Sequence, residues 1–186
     1  MPDWIRHPEL RTRRSKPWIP DQVRDDGTMI RFAKPDPGRP LTTGETALVR
    51  SMFGDAIDCR AVRLHHARWW PLQPAGVVMA PDGDIWFHPG GLWSEDFSQE
   101  PIGRQGLLIH EMTHVWQAQR GGRWFLPLAR HPFCRYAYDW KPGRAFGRYG
   151  LEQQAEIVRH AFLLRHGAAV DGKPDCAAYD ALLPFG

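Results

Sequence analysis

The sequence predicts an α+β domain, and three observations carry that expectation. The stretch Leu107 to Gln119 is helical in pattern, with Leu108, Met112 and Val115 at i, i+4 and i+7. A second helical pattern runs from Leu151 to His166, with Leu151, Ala155, Val158, Phe162 and Leu163 recurring near a period of 3.6. Upstream of both lie short strand-like segments bounded by turn residues: Cys59 to His65, Gly76 to Ala80 and Asp84 to His88. A short antiparallel or mixed sheet followed by two long helices is the expected architecture.

Residues 1–40 hold Pro17, Pro20, Pro35, Pro37 and Pro40, which exclude a helix, and read as an arm that docks onto the body or drapes over it. The expected domain is 41–170, and 171–186 forms a tail with a short docking helix around Asp175 to Leu183. Within the domain, Thr42 and Glu45 have capping-box spacing for a helix ending at Met52 or Phe53, with Gly54 as its stop. Cys59 to His65 alternates as a strand. Pro81-Asp82-Gly83 is the turn of a hairpin between Gly76 to Ala80 and Asp84 to His88, whose exposed edge can receive an extended peptide. Leu92 to Pro101 reads as a loop, and the central helix is expected from Ile102 to Arg120, stopped by Gly121-Gly122. Gly121 to Gly150 is aromatic, basic and broken by prolines, and is expected to be irregular and to wall a cleft.

At 186 residues the chain suits one domain with a real core. The formal net charge is +3, but acidic residues are interleaved with the arginines, so a nucleic-acid partner is not expected. No apolar run is long enough for a membrane span. The first residues carry no apolar signal region, which points to the cytoplasm, and export by a contractile injection machine is compatible with that. Cys59, Cys134 and Cys176 are widely spaced and form no CxxC pair, so reduced thiols are expected.

The chemistry is concentrated in His110-Glu111-Met112-Thr113-His114. Residues four apart on a helix share a face, so His110 and His114 can aim both imidazoles at one ion. Glu111 is offset by about 100° and can reach a water without ligating the metal. This is the arrangement of a zinc metallopeptidase, with Glu111 as general base. A catalytic zinc needs a third protein ligand. The extended pattern that supplies a third His six residues on is absent, because Gln117 and Arg120 occupy the diagnostic positions. The second helix offers Glu152 and Glu156, again four apart. One can ligate while the other accepts the N–H of a ligating His. Glu152 is favoured as ligand and Glu156 as its outer partner, with the reverse assignment and His160 as alternatives. An oxyanion stabiliser is sought among Tyr149, Tyr138, Tyr136, His131 and His160.

These residues resemble a known group. His110 to His114 followed by Val115-Trp116-Gln117, with Glu152-Gln153-Gln154-Ala155-Glu156 downstream, is similar to gluzincin-type metallopeptidases. It resembles more closely the small zincin-like domain of extracellular contractile injection systems, and short bacterial vgr-related proteins, whose description refers to a type VI secretion spike. Phe53-Gly54-Asp55, Val62 to His65 and Ile85 to Phe87 follow in the same order before the metal helix. The resemblance spans roughly Leu41 to His166. It implies a zincin-like fold, Zn2+, His110, His114 and Glu152 as ligands and Glu111 as base. Glu156 departs from the pattern, which usually has Asp.

The leading expectation is therefore a zinc-dependent peptidase acting on a peptide or protein substrate. The alternative is a binding or assembly module that keeps the fold and serves a contractile injection or type VI secretion system, with secretion-system components as partners. A toxin exported by such a machine is a third reading.

Overall fold

The computed structural model describes residues 37–122, Leu126 and residues 136–185. The elements run β1 (Arg39–Pro40), α1 (Thr43–Phe53), β2 (Arg63–His65), β3 (Val78–Met79), β4 (Ile85–Phe87), α2 (Ile102–Gly121), α3 (Leu151–Arg165) and α4 (Cys176–Leu182). The class is α+β, with a small mixed sheet and four helices among the described residues. None of these helices is long and apolar enough to cross a membrane.

The sheet has the order β1-β2-β4-β3. β1 pairs antiparallel with β2, β2 pairs parallel with β4, and β3 closes the hairpin antiparallel to β4. Successive side chains of a strand face opposite sides. Leu64 and Ile85, paired across β2 and β4, are both fully buried in the core, as is Phe87. The next pair, His65 and Trp86, stacks its rings at 3.8 Å, nearly parallel. Gly83, in the turn before β4, has φ 102°, a conformation that favours glycine.

Three details differ from the sequence reading. The segment Cys59 to His65 splits: Cys59–Ala61 is a 3-10 turn, and only Arg63–His65 pairs as a strand. The cause is local, because the Asp58 carboxylate accepts from the Arg60 backbone N–H at 3.1 Å and caps the turn. Arg39 and Pro40, placed in the arm by composition, form the edge strand β1. Residues 1–36 of the arm, and 123–125 and 127–135 of the aromatic segment, lie outside the described residues. The segment Leu92 to Pro101 carries a 3-10 turn at Phe97–Gln99, capped by Asp96.

The capping box of α1 is formed. Thr42 Oγ1 accepts from the Glu45 N–H at 3.0 Å, and Glu45 Oε2 accepts from the Thr42 N–H at 2.8 Å. The fully buried Glu45 also accepts from Arg39 at 2.7 Å and from the Phe97 N–H at 2.9 Å. One carboxylate thus ties α1, β1 and the loop before α2 together.

Every side chain of α2 from Leu108 to Val115 is buried. Its main helical partner is α3, which runs antiparallel to it. Gly106 lies against α3, since a Cβ there would stand 3.3 Å from Leu163 Cδ2 and 3.5 Å from Arg159 Cγ. Moving along α2, His110 meets Glu156, His114 meets Glu152, and Gln117 meets Leu151 and Gln154. Four-residue steps on one helix match four-residue steps on the other, because each step is close to one turn. That register brings the site together. The C-terminal helix α4 is capped by Asp175 and packs the fully buried Tyr179 against α3.

Candidate metal centre

His110, His114 and Glu152 are 1%, 0% and 1% exposed, and each offers a ligand atom within 4.8 Å of the others. Glu152 Oε2 lies 3.1 Å from His114 Nε2 and 3.4 Å from His110 Nε2. Zinc bonds of about 2.0–2.1 Å at tetrahedral angles place neighbouring ligand atoms roughly 3.3 Å apart. Both contacts fit such an edge.

The far ring nitrogens fix the tautomers. His114 Nδ1 faces Gln117 Oε1 at 2.8 Å. That oxygen is assigned as an acceptor because the Gln117 amide nitrogen donates to Leu151 O at 3.2 Å and to Gln154 Oε1 at 3.0 Å. Nδ1 of His114 therefore carries a proton, and in that neutral tautomer the Nε2 lone pair points at Glu152. Two acceptors 3.1 Å apart in a buried site repel unless a cation or a proton lies between them. His110 repeats the pattern, with Nδ1 at 3.2 Å from Glu156 Oε2. The donor set, two imidazole nitrogens and one carboxylate, suits zinc.

The electrostatics point the same way. Burial works against a charged His110, but hydrogen bonds to Glu152 and Glu156 and the charge of Glu111 outweigh it, raising its pKa to about 9. The centre favours positive charge at this spot. Glu156 is also buried, yet His110 and His160 hold its carboxyl well below the usual carboxylate range.

All the sequence-derived site residues but His131 fall among the described residues. His110, His114 and Glu152 converge. Glu156 takes the ring nitrogen of His110 that faces away from the cluster, the position of an outer partner. His160, the outside candidate for ligation, is turned elsewhere: its Nε2 meets Glu156 Oε1 at 3.0 Å and its Nδ1 meets Tyr138 Oη at 2.6 Å. Glu111 is buried beside His110 and acts on it through its charge. Among the oxyanion candidates, Tyr136 stacks on His110 with ring centres 6.0 Å apart. Tyr138 and His160 are engaged with each other, and the Tyr149 hydroxyl accepts from the Lys141 N–H at 3.3 Å. His131 lies outside the described residues. The edge of the hairpin belongs to β3, because β4 is paired on both sides. Gln117 was missed as the partner of His114, although its i, i+3 spacing from that residue was visible.

These features define a class: an α+β domain in which two packed helices bring two histidines and a glutamate to one buried point. No family model matches the sequence. The type VI secretion system spike protein VgrG2b of Pseudomonas aeruginosa is 41% identical over 143 residues, which is 74% of this chain and 14% of that protein. The solved effector domain of Pseudomonas aeruginosa VgrG2b is 38% identical, with a TM-score of 0.63 over 77% of this chain and 80% of that one. The chain belongs to the VgrG2b effector-domain family.

Proposed function

We propose that this chain is an effector module of a type VI secretion spike and that it acts as a zinc-dependent peptidase of zincin-like fold. The observation that carries the chemistry is the meeting of His110 Nε2, His114 Nε2 and Glu152 Oε2, with Glu111 one residue from His110 on the same helix. The secretion context rests on the relatives, one a spike protein and the other its effector domain.

His110, His114 and Glu152 would hold the zinc ion. Bound there, zinc supplies a Lewis acid and lowers the pKa of its water toward about 7. Gln117 and Glu156 hold the Nδ1 protons of the two histidines, which keeps both Nε2 lone pairs aimed inward. Glu111 takes the proton of the attacking water on its carboxylate and returns it to the leaving amine. Tyr136, beside His110, is the residue to test for oxyanion stabilisation.

The test separates binding from chemistry. Glu111→Gln should keep zinc while casein hydrolysis falls by about 10²- to 10⁴-fold, the range for a lost general base. Full activity in zinc-loaded Glu111→Gln would remove Glu111 from this role.

A second reading has its own support in the almost complete burial of all three ligand residues. Here the metal ties α2 to α3, and the domain works as a binding or assembly part of the spike. Zinc-loaded protein that hydrolyses no peptide, and whose cobalt form has the spectrum of a closed four-ligand shell, favours this reading.

A further inference from the structure

The hydrogen bonds that leave the metal centre through Glu156 do not stop there. Glu156 Oε2 takes His110 Nδ1 at 3.2 Å, and Glu156 Oε1 takes His160 Nε2 at 3.0 Å and Arg159 Nη1 at 3.1 Å. His160 Nδ1 meets Tyr138 Oη at 2.6 Å, and Tyr138 Oη is hydrogen-bonded to Tyr179 Oη. Four separate pieces of chain are joined: α2, α3, the irregular stretch between them, and the C-terminal helix α4.

The donors can be ordered from the carboxylate outward. An ionised Glu156 only accepts, so His110 gives its Nδ1–H and His160 its Nε2–H. In the Nε2–H tautomer of His160, Nδ1 accepts and Tyr138 donates to it. With its proton committed, Tyr138 accepts from Tyr179. Each group has one role: Glu156 fixes which nitrogen of His110 carries the proton, and the groups beyond it hold Glu156 in place. Burial reinforces the order, with Tyr138 5% and Tyr179 0% exposed. Tyr138 is gripped further by Lys173, whose ammonium lies 3.9 Å from its ring centre and donates to its carbonyl at 2.9 Å. Trp140 packs on Tyr179 with ring centres 4.9 Å apart.

We propose that Tyr138 and Tyr179, acting through His160 and Glu156, are positioning residues for the metal centre, so that the C-terminal helix α4 sets how firmly His110 binds the ion. This rests on the metal-site reading above. Residues that orient a ligating histidine typically change metal affinity by about 10- to 100-fold when removed. Glu156→Gln belongs in that range. Tyr138→Phe and Tyr179→Phe, one and two steps further out, should each cost about 3- to 10-fold, below that range.

The experiment measures zinc affinity against a chelating indicator, together with the visible absorption of cobalt-substituted protein. The full chain is used for the parent, His110→Ala, Glu156→Gln, Tyr138→Phe, Tyr179→Phe and each tyrosine variant combined with Glu156→Gln. Weaker zinc binding and shifted cobalt bands in both tyrosine variants, with no further loss when Glu156 is already changed, support the proposal. Parent-like affinity and cobalt bands in the tyrosine variants, even with a lowered melting temperature, overturn it and leave plain packing. Losses that persist in full beside Glu156→Gln overturn the route through Glu156. Undiminished zinc binding in His110→Ala overturns the metal-site reading itself, which separates the two failures.

Discussion

His110 sits between two carboxylates, 3.4 Å from Glu152 through Nε2 and 3.2 Å from Glu156 through Nδ1. In metal-free protein that arrangement has a consequence for pH. Burial opposes the imidazolium, the two hydrogen bonds outweigh it, and the pKa rises from 6.5 to about 9. A group whose pKa is raised by folding stabilises the fold fully below its unfolded value and loses that contribution as pH climbs through the folded value. The loss from His110 therefore falls between about 6.5 and 9. Glu156 acts in the opposite sense: burial raises its pKa, His110 and His160 lower it further, and the stability it adds is present above 4.5 and drains away in acid. Metal-free protein should be most heat-resistant between about 4.5 and 6.5, with a melting temperature that declines from pH 6.5 to 9. Calorimetry in chelator checks this. His110→Gln should flatten the alkaline slope, and a parent protein with no such slope contradicts the assignment.

The α2–α3 pair shows what periodicity can and cannot reveal. The faces of both helices were legible, because His110 and His114, and Glu152 and Glu156, recur at one turn. Their mutual register was not legible, since it is made by contacts between the helices, that of Gly106 with Leu163 and Arg159 among them, which no pattern within one helix encodes. The same limit hid Gln117 as an amide clamp, which needs Leu151 and Gln154 from the other helix to orient it. The strand expected at Cys59 to His65 forms only at Arg63–His65 for a different reason, a local competition at Cys59–Ala61 won by the Asp58 side chain. The Gly106 contact yields a prediction at this scale. Gly106→Ala should be nearly neutral: the nearest atom is the flexible end of Leu163 at 3.3 Å, and alanine gains helix propensity of about 0.5–1 kcal/mol. Gly106→Val adds branched bulk against α3 and should destabilise by about 1–3 kcal/mol. Because Gly106 lies one turn before His110, the wedge should also weaken zinc binding. Urea unfolding and zinc titration of the two variants test this, and valine tolerated with unchanged zinc affinity would show that the spacing is not set here.

At the scale of the fold, the sheet, α1, α2 and α3 share one apolar core, with Phe53, Leu64, Ile85, Phe87, Phe97, Met112 and Phe162 buried. Glu45 locks its entry strand and loop. By contrast, α2 and α3 face each other with two histidines and two glutamates in a buried layer. Such a layer is costly without compensation and stable once a cation neutralises it. A ligand that binds only the folded state adds RT ln(1 + [L]/Kd), about 2.7 kcal/mol at one hundred times Kd. For a domain of this size each kcal/mol is worth about 2–4 °C, so saturating zinc should raise the melting temperature by roughly 5–10 °C. His114→Ala should abolish that rise, because it removes the imidazole Nε2 that stands 3.1 Å from Glu152 Oε2. The gain should be larger at pH 8 than at pH 6, where protons compete for His110. Scanning calorimetry with and without zinc at the two pH values decides it. A rise that survives in His114→Ala would place the ion elsewhere on the chain, and no rise in the parent would leave the buried layer held by protons alone.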